Sequence, residues 1–247
     1  MIINLSCIAV GTKTGFKIFA TDQFQLYYES KCGPISIVEM LYSTNLVLLV
    51  SLNEFGEFSP KKVTIWSTST NSVLSSSWQY LGKVNIVKIN KKSMIICERV
   101  FMHVYSSKDM KIKHTFDCGT IFLGKLVLSP NPDKNNLVCF CSNKDEGNIQ
   151  VFDLNFLNFK ARIKGHNASV LKMAMNFAGD MLITCSCKGT TINVFSLPKG
   201  EKITSYKRGI NSAYIFWMGF SLSQDKIICS SDSGTINIFD LGKDREM

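Results

Sequence analysis

Thr191-Ile-Asn-Val-Phe195 and Thr235-Ile-Asn-Ile-Phe239 are nearly one five-residue phrase, differing only in Val194 against Ile238, 44 residues apart. Each copy alternates β-branched and polar residues and closes on an aromatic, the period-two pattern of a half-buried strand. Looser copies occur earlier, at Gly15-Phe-Lys-Ile-Phe19, Lys62-Val-Thr-Ile-Trp66, Phe101-Met-His-Val-Tyr105 and Asn148-Ile-Gln-Val-Phe152. The six closing aromatics, Phe19, Trp66, Tyr105, Phe152, Phe195 and Phe239, are separated by 47, 39, 47, 43 and 44 residues. A recurrence every ~40–45 residues is the spacing of propeller blades.

A second strand is predicted upstream of most anchors: Ser6 to Val10, Leu46 to Ser51, Ser93 to Glu98, Met181 to Ser186 and Ile227 to Ser231. In the fifth and sixth repeats an earlier strand precedes these, over Val170 to Phe177 and Tyr214 to Leu222, each followed by an Asp-containing turn. Every repeat therefore holds three or four short strands. No stretch of a dozen residues sustains apolar positions at helical spacing. The reading is an all-β β-propeller of WD40-like four-stranded blades, with residues 1–247 as one domain and blades ending near the six anchors. A long sandwich would explain the strands but not the repeated aromatic.

The 247 residues are 45% hydrophobic and 19% charged, with mean hydropathy +0.09, which is the composition of a packed chain and excludes wholesale disorder. The apolar runs, such as Leu46 to Val50, are far shorter than the roughly 20 residues a membrane helix needs. Met1 to Val10 has neither a basic start nor a cleavage site of the secretory kind, so a cytoplasmic protein is expected. The nine cysteines are odd in number and include no CxxC pair, which points to reduced strand cysteines rather than disulfides or metal ligands. With 28 basic and 19 acidic residues the net charge is +9, a balance that favours anionic partners.

The blades lack the usual Trp-Asp dipeptide; Phe152-Asp153 and Phe239-Asp240 come nearest. The run Cys7-Ile-Ala-Val-Gly-Thr12, followed by Gly15 to Phe19, Ile37-Val-Glu-Met-Leu41, Ser59-Pro-Lys-Lys62 and Tyr206-Lys-Arg-Gly209, resembles the PROPPIN family of phosphoinositide-binding propellers. The resemblance holds in order from about Ser6 to Leu241. The family's Phe-Arg-Arg-Gly signature reads here as Tyr206-Lys207-Arg208-Gly209.

Adjacent residues on an extended strand point to opposite sides, so Lys207 and Arg208 can each serve a different anion pocket. Arginine grips phosphate with a planar fork and lysine with a point charge, so Lys207 is expected to be the weaker of the two. The resemblance implies a fifth-blade pocket of Lys207 with His166, Ser186, Lys188 and Thr190. Asn193 stands where the family commonly has arginine, which weakens that pocket. It also implies a sixth-blade pocket of Arg208 with Ser212, Ser231 and Thr235, and Asn211 sits where some members place histidine. His166 in Gly165-His166 equally matches the structural Gly-His of ordinary WD40 blades.

The resemblance implies seven blades, of which six are present, and a membrane-inserting loop leaving the sixth. The chain stops at Gly242-Lys-Asp-Arg-Glu-Met247, about where that loop would begin, and Met1 to Ser6 leaves little room for an innermost first strand. A fragment, a shortened gene model or a divergent six-bladed form is therefore expected.

The implied function is docking on membranes that carry phosphatidylinositol 3-phosphate or 3,5-bisphosphate, and recruitment of autophagy proteins, including a lipid-transfer partner. The protein would be a monomer, reversibly peripheral on autophagosomal, endosomal or vacuolar membranes. The alternative is a WD40-like scaffold that binds only proteins. Catalysis is not expected: no HExxH, GxSxG, Walker-type loop or Cys-His metal spacing is present, so no cofactor is invoked. No aromatic-basic RNA motif is readable, so nucleic acid is not an expected partner.

Overall fold

In the computed structural model the described residues are 2–3, 7–42, 44–143 and 147–242, and they form strands joined by turns, without a helical element. Contacts divide the chain into two compact units, Met1–Asp117 and Cys118–Met247. Ser6 and residues 243–247 of the C-terminal run lie outside the described residues.

The first unit holds three four-stranded antiparallel sheets. The first is β1 (Ile2–Ile3), β2 (Cys7–Gly11), β3 (Phe16–Ala20) and β4 (Leu26–Ser30); the second is β5 (Ile35–Met40), β6 (Leu46–Ser51), β7 (Lys62–Ser67) and β8 (Ser72–Gln79); the third is β9 (Val84–Ile89), β10 (Ser93–Glu98), β11 (Phe101–Ser106) and β12 (Ile112–Asp117). The short opening does accommodate an innermost strand, because two residues suffice: Ile2 and Ile3 pair with Ala9 and Ile8.

The second unit holds three more sheets. The fourth is β13 (Leu126–Leu128), β14 (Leu137–Phe140), β15 (Asn148–Asp153) and β16 (Asn158–Lys164); the fifth is β17 (Val170–Met175), β18 (Met181–Ser186), β19 (Thr191–Ser196) and β20 (Lys202–Lys207); the sixth has three strands, β21 (Ile215–Phe220), β22 (Lys226–Ser231) and β23 (Ile236–Asp240). Each aromatic anchor occupies the third strand of its sheet, and in five sheets a further strand follows it. Those outer strands are mostly exposed: β12, β16 and β20 have few buried positions, so they carry little hydrophobic periodicity to mark them in the sequence.

The core of each unit lies between sheets. In β18, Leu182 packs among fourth-sheet residues such as Cys139 and Val151, while its neighbour Ile183 packs against Ile227 and Cys229 of the sixth sheet. Strand alternation thus lets one sheet serve two interfaces. All nine cysteines are free thiols; Cys139, Cys141 and Cys185 are buried, whereas Cys187 has passed the end of β18 and is exposed. Burial pushes the Cys185 thiol up to about 12, so it is held as a neutral, hydrophobic side chain.

Candidate functional site

The junction between β20 and β21 is shaped by one tight turn. Between β18 and β19 the chain reverses at Cys187 to Thr190, where the Gly189 amide donates to the Ser186 carbonyl at 2.9 Å. Gly189 has φ +62°, and a Cβ there would lie 1.9 Å from the Ala213 carbonyl oxygen. Glycine is required on both counts, backbone conformation and close approach. The turn is gripped from two sides: Arg208 and Gly209 amides donate to the Thr190 carbonyl at 2.8 and 3.3 Å, and the Ala213 amide donates to the Lys188 carbonyl at 3.1 Å. Main-chain bonding therefore collects Lys188, Thr190, Lys207 and Arg208 at one corner, with Lys207 paired opposite Thr191 as the last residue of β20.

Arg208 leaves the strand and turns toward the sixth sheet. Its Nε donates to the Gly189 carbonyl at 2.6 Å, one terminal nitrogen donates to the Asn211 carbonyl at 2.5 Å, and the other reaches Ser233 Oγ at 3.5 Å. Beyond it stand three hydroxyls in mutual contact: Ser231 to Ser233 at 2.8 Å, Ser233 to Thr235 at 3.0 Å, and Ser231 to Thr235 at 3.3 Å. Burial pushes the Cys229 thiol up, and the Arg208 charge beside it pulls the other way. Among the described residues no carboxylate pairs with Arg208 or Lys207. A fixed guanidinium facing rotatable hydroxyls, without a counter-charge, is suited to an oxyanion such as phosphate.

His166 is turned into the blade. Its Nε2 lies 2.9 Å from Thr184 Oγ1 and its Nδ1 lies 3.4 Å from Asn193 Nδ2. Asn193 Nδ2 also donates to the Gly165 carbonyl at 2.7 Å, and its Oδ1 accepts from Ser205 Oγ at 2.8 Å. One assignment satisfies every atom: Nε2–H donates to Thr184 and Nδ1 accepts from Asn193. Burial holds the imidazole pKa below its ordinary value, with the Lys202 charge acting in the same direction. His166 can donate to a phosphate only by giving up its bond to Thr184.

The other residues marked in the sequence divide by exposure. Ser186, 6% exposed, ends β18, while Lys188, Lys207, Ser212 and Thr235 are exposed. Lys188, Thr190, Lys207 and Arg208 are brought together; Ser231 and Thr235 join Arg208 through Ser233; His166 belongs to an inner network. Ser233 and Gly189 were not singled out by sequence, although Ser231-Asp-Ser-Gly-Thr235 places three hydroxyls at alternate positions of one turn. Asn211 contributes its carbonyl, so its side chain is not what the arginine uses.

The chain matches the PROPPIN family over residues 2–246. It is 35% identical to Autophagy-related protein 18 of Dictyostelium discoideum, over 96% of this chain and 62% of that protein. It is 29% identical to Autophagy-related protein 18 of Mycosarcoma maydis, over 96% of this chain and 57% of that protein. The chain thus spans about three fifths of the length of these relatives. Among solved structures it resembles Kluyveromyces lactis Hsv2 with TM-score 0.81 and 21% identity, over 98% of this chain and 72% of that one. It also resembles the structure described as the complex of KlAtg21 with the coiled-coil of AgAtg16, with TM-score 0.81 and 24% identity, over 96% of this chain and 78% of that one. These likenesses show the fold class, an all-β propeller of which the six sheets are blades. From the match along nearly its whole length, the chain belongs to the PROPPIN family.

Proposed function

We propose that this chain, read as one propeller domain over residues 1–247, is a phosphoinositide reader that docks on membranes carrying phosphatidylinositol 3-phosphate or 3,5-bisphosphate. The observation that supports this most is the Arg208 guanidinium facing the linked hydroxyls of Ser231, Ser233 and Thr235 without a carboxylate partner. Arg208 supplies the directional grip, and Ser212, next in the chain after the Asn211 whose carbonyl Arg208 holds, lies exposed on the crossing to β21. Lys207, Lys188, Thr190 and Ser186 form the weaker second site. His166 acts there by positioning the blade around Thr184 and Asn193. Two weak sites engaging one bilayer gain from effective concentration, and binding through them falls with added salt.

The role is recruitment rather than catalysis: a peripheral protein on autophagic or endosomal membranes that brings other autophagy proteins to the marked surface. A coiled-coil partner, as in the KlAtg21 complex, and a lipid-transfer partner are the expected recruits. Liposome flotation with phosphatidylinositol and its 3-phosphate, 4-phosphate and 3,5-bisphosphate tests the reading. The 3-phosphorylated lipids should float the parent chain, and Lys207→Ala/Arg208→Ala should stay in solution while keeping its β-sheet circular dichroism. A folded parent that floats with none of these lipids refutes lipid reading by this chain and favours a protein-only scaffold.

A further inference from the structure

Away from Arg208, a second group of cations lies where the first strands of the fourth, fifth and sixth sheets begin. These strands are neighbours, β13 beside β17 and β17 beside β21. The chain enters β13 through a turn over Phe122 to Lys125, closed by the Lys125 amide donating to the Phe122 carbonyl at 3.0 Å. Gly124 sits in this turn at φ +91°, its carbonyl accepting from the Met173 amide at 3.0 Å, and a Cβ there would stand 3.6 Å from Lys172 Nζ. The turn is thereby laid against Lys172.

Both lysines are half-buried and sit over aromatic rings. Lys125 Nζ is 5.7 Å from the Phe122 centroid and donates to Ser169 Oγ at 2.9 Å. Lys172 Nζ is 5.8 Å from the Tyr214 centroid, and Tyr214 meets Phe216 edge-on at 5.7 Å. Phe122, Leu123, Tyr214 and Phe216 are 55%, 78%, 48% and 58% exposed. Among the described residues neither lysine has a carboxylate partner. Two ammonium groups held over rings, beside a strip of uncovered apolar side chains, form a surface with charge and grease but no internal complement.

We propose that this surface binds a short acidic peptide segment, with its carboxylates on Lys125 and Lys172 and its aromatic or aliphatic side chains on Phe122, Leu123, Tyr214 and Phe216. A bilayer fits less well. Inserting these rings into hydrocarbon would carry two unpaired ammonium groups in with them, and unpaired charge is strongly disfavoured there. An acidic peptide neutralises both charges at the depth where they already lie. The surface shares no residue with the Arg208 cluster, although Tyr214 is bonded to Asp232 of the hydroxyl turn, donating its amide to the carboxylate at 2.9 Å and accepting the Asp232 amide at 3.0 Å; the Lys207→Ala/Arg208→Ala control reads any coupling between the two.

Fluorescence anisotropy with a labelled peptide alternating glutamate with phenylalanine and leucine tests this, against the same peptide with glutamine for glutamate. The acidic peptide should bind about tenfold more tightly. Lys125→Ala/Lys172→Ala should lower its affinity by about tenfold, and Phe122→Ser/Leu123→Ser by a similar factor. Lys207→Ala/Arg208→Ala and the charge-matched Lys108→Ala/Lys113→Ala should change it by less than about twofold. Equal affinity for the two peptides overturns the proposal, as does an equal loss in the charge-matched control. Phosphatidylserine vesicles that bind through Lys125 and Lys172 when the peptide does not would overturn it in favour of a membrane contact.

Discussion

The fifth and sixth blades carry nearly the same strand, yet the molecule treats them in opposite ways. In Thr191-Ile-Asn-Val-Phe195, Ile192 and Val194 are 0% exposed. In Thr235-Ile-Asn-Ile-Phe239, Ile236 and Ile238 are 72% and 61% exposed. Ile192 and Val194 are covered by Ile215, Met218, Ile227 and Cys229 of the next sheet. The corresponding face of β23 has no such neighbour among the described residues. A strand phrase therefore specifies which face is apolar, and only an adjacent sheet converts that face into stability. The candidate anion sites divide along the same line: the fifth blade offers Lys207 and a network closed around Asn193, while the sixth receives Arg208 and three linked hydroxyls.

The sharpest way to break this contrast is at its buried end. Ile192→Ala should destabilise the chain by about 2–5 kcal/mol, through lost burial and the cavity left behind, as read from urea unfolding midpoints. Gly189→Ala comes next. It places a methyl against the Ala213 carbonyl at a left-handed position and should cost roughly 1–3 kcal/mol. The same substitution should weaken any Arg208-dependent lipid binding, because the carbonyl that holds Arg208 Nε must move.

The fifth blade should also be the more acid-sensitive of the two. Burial lowers the pKa of His166 in the folded state below its ordinary 6.5, so the folded blade holds the neutral ring. Its contribution is present above that value and is lost as pH falls below it, because the unfolded chain then takes up the proton more readily. Unfolding midpoints at about pH 7 and about pH 5 should differ more for the parent than for His166→Gln. The smallest effect belongs to the exposed twin: Ile236→Ala should change stability by less than about 0.5 kcal/mol. A large loss there would show that β23 is covered in solution.

Much of the candidate site was legible because its parts are local. Lys207 and Arg208 are marked by the Tyr206-Lys-Arg-Gly209 signature, and Ser231 and Thr235 by the same family resemblance. Ser233 was missed because a serine two residues from another is an ordinary turn pattern until the arginine that follows β20 reaches it. The two demands on His166 could not be separated by sequence, since Gly-His serves both a blade's inner bonding and the family's pocket. Its ring is bonded to Thr184 and Asn193, 18 and 27 positions away, and only the folded blade brings these beside it.

The chain's own order of residues determined the strands, their period of about 40–45 residues and the aromatic in each third strand, because side-chain alternation is a property of the backbone itself. Tertiary structure alone decided three things: the outer strands such as β12 and β20, whose exposed faces bear no hydrophobic signature; the grouping of Arg208 with Ser233; and the opposite burial of Ile192 and Ile236. Each depends on what a neighbouring sheet supplies, and a one-dimensional pattern holds no record of its neighbours in space.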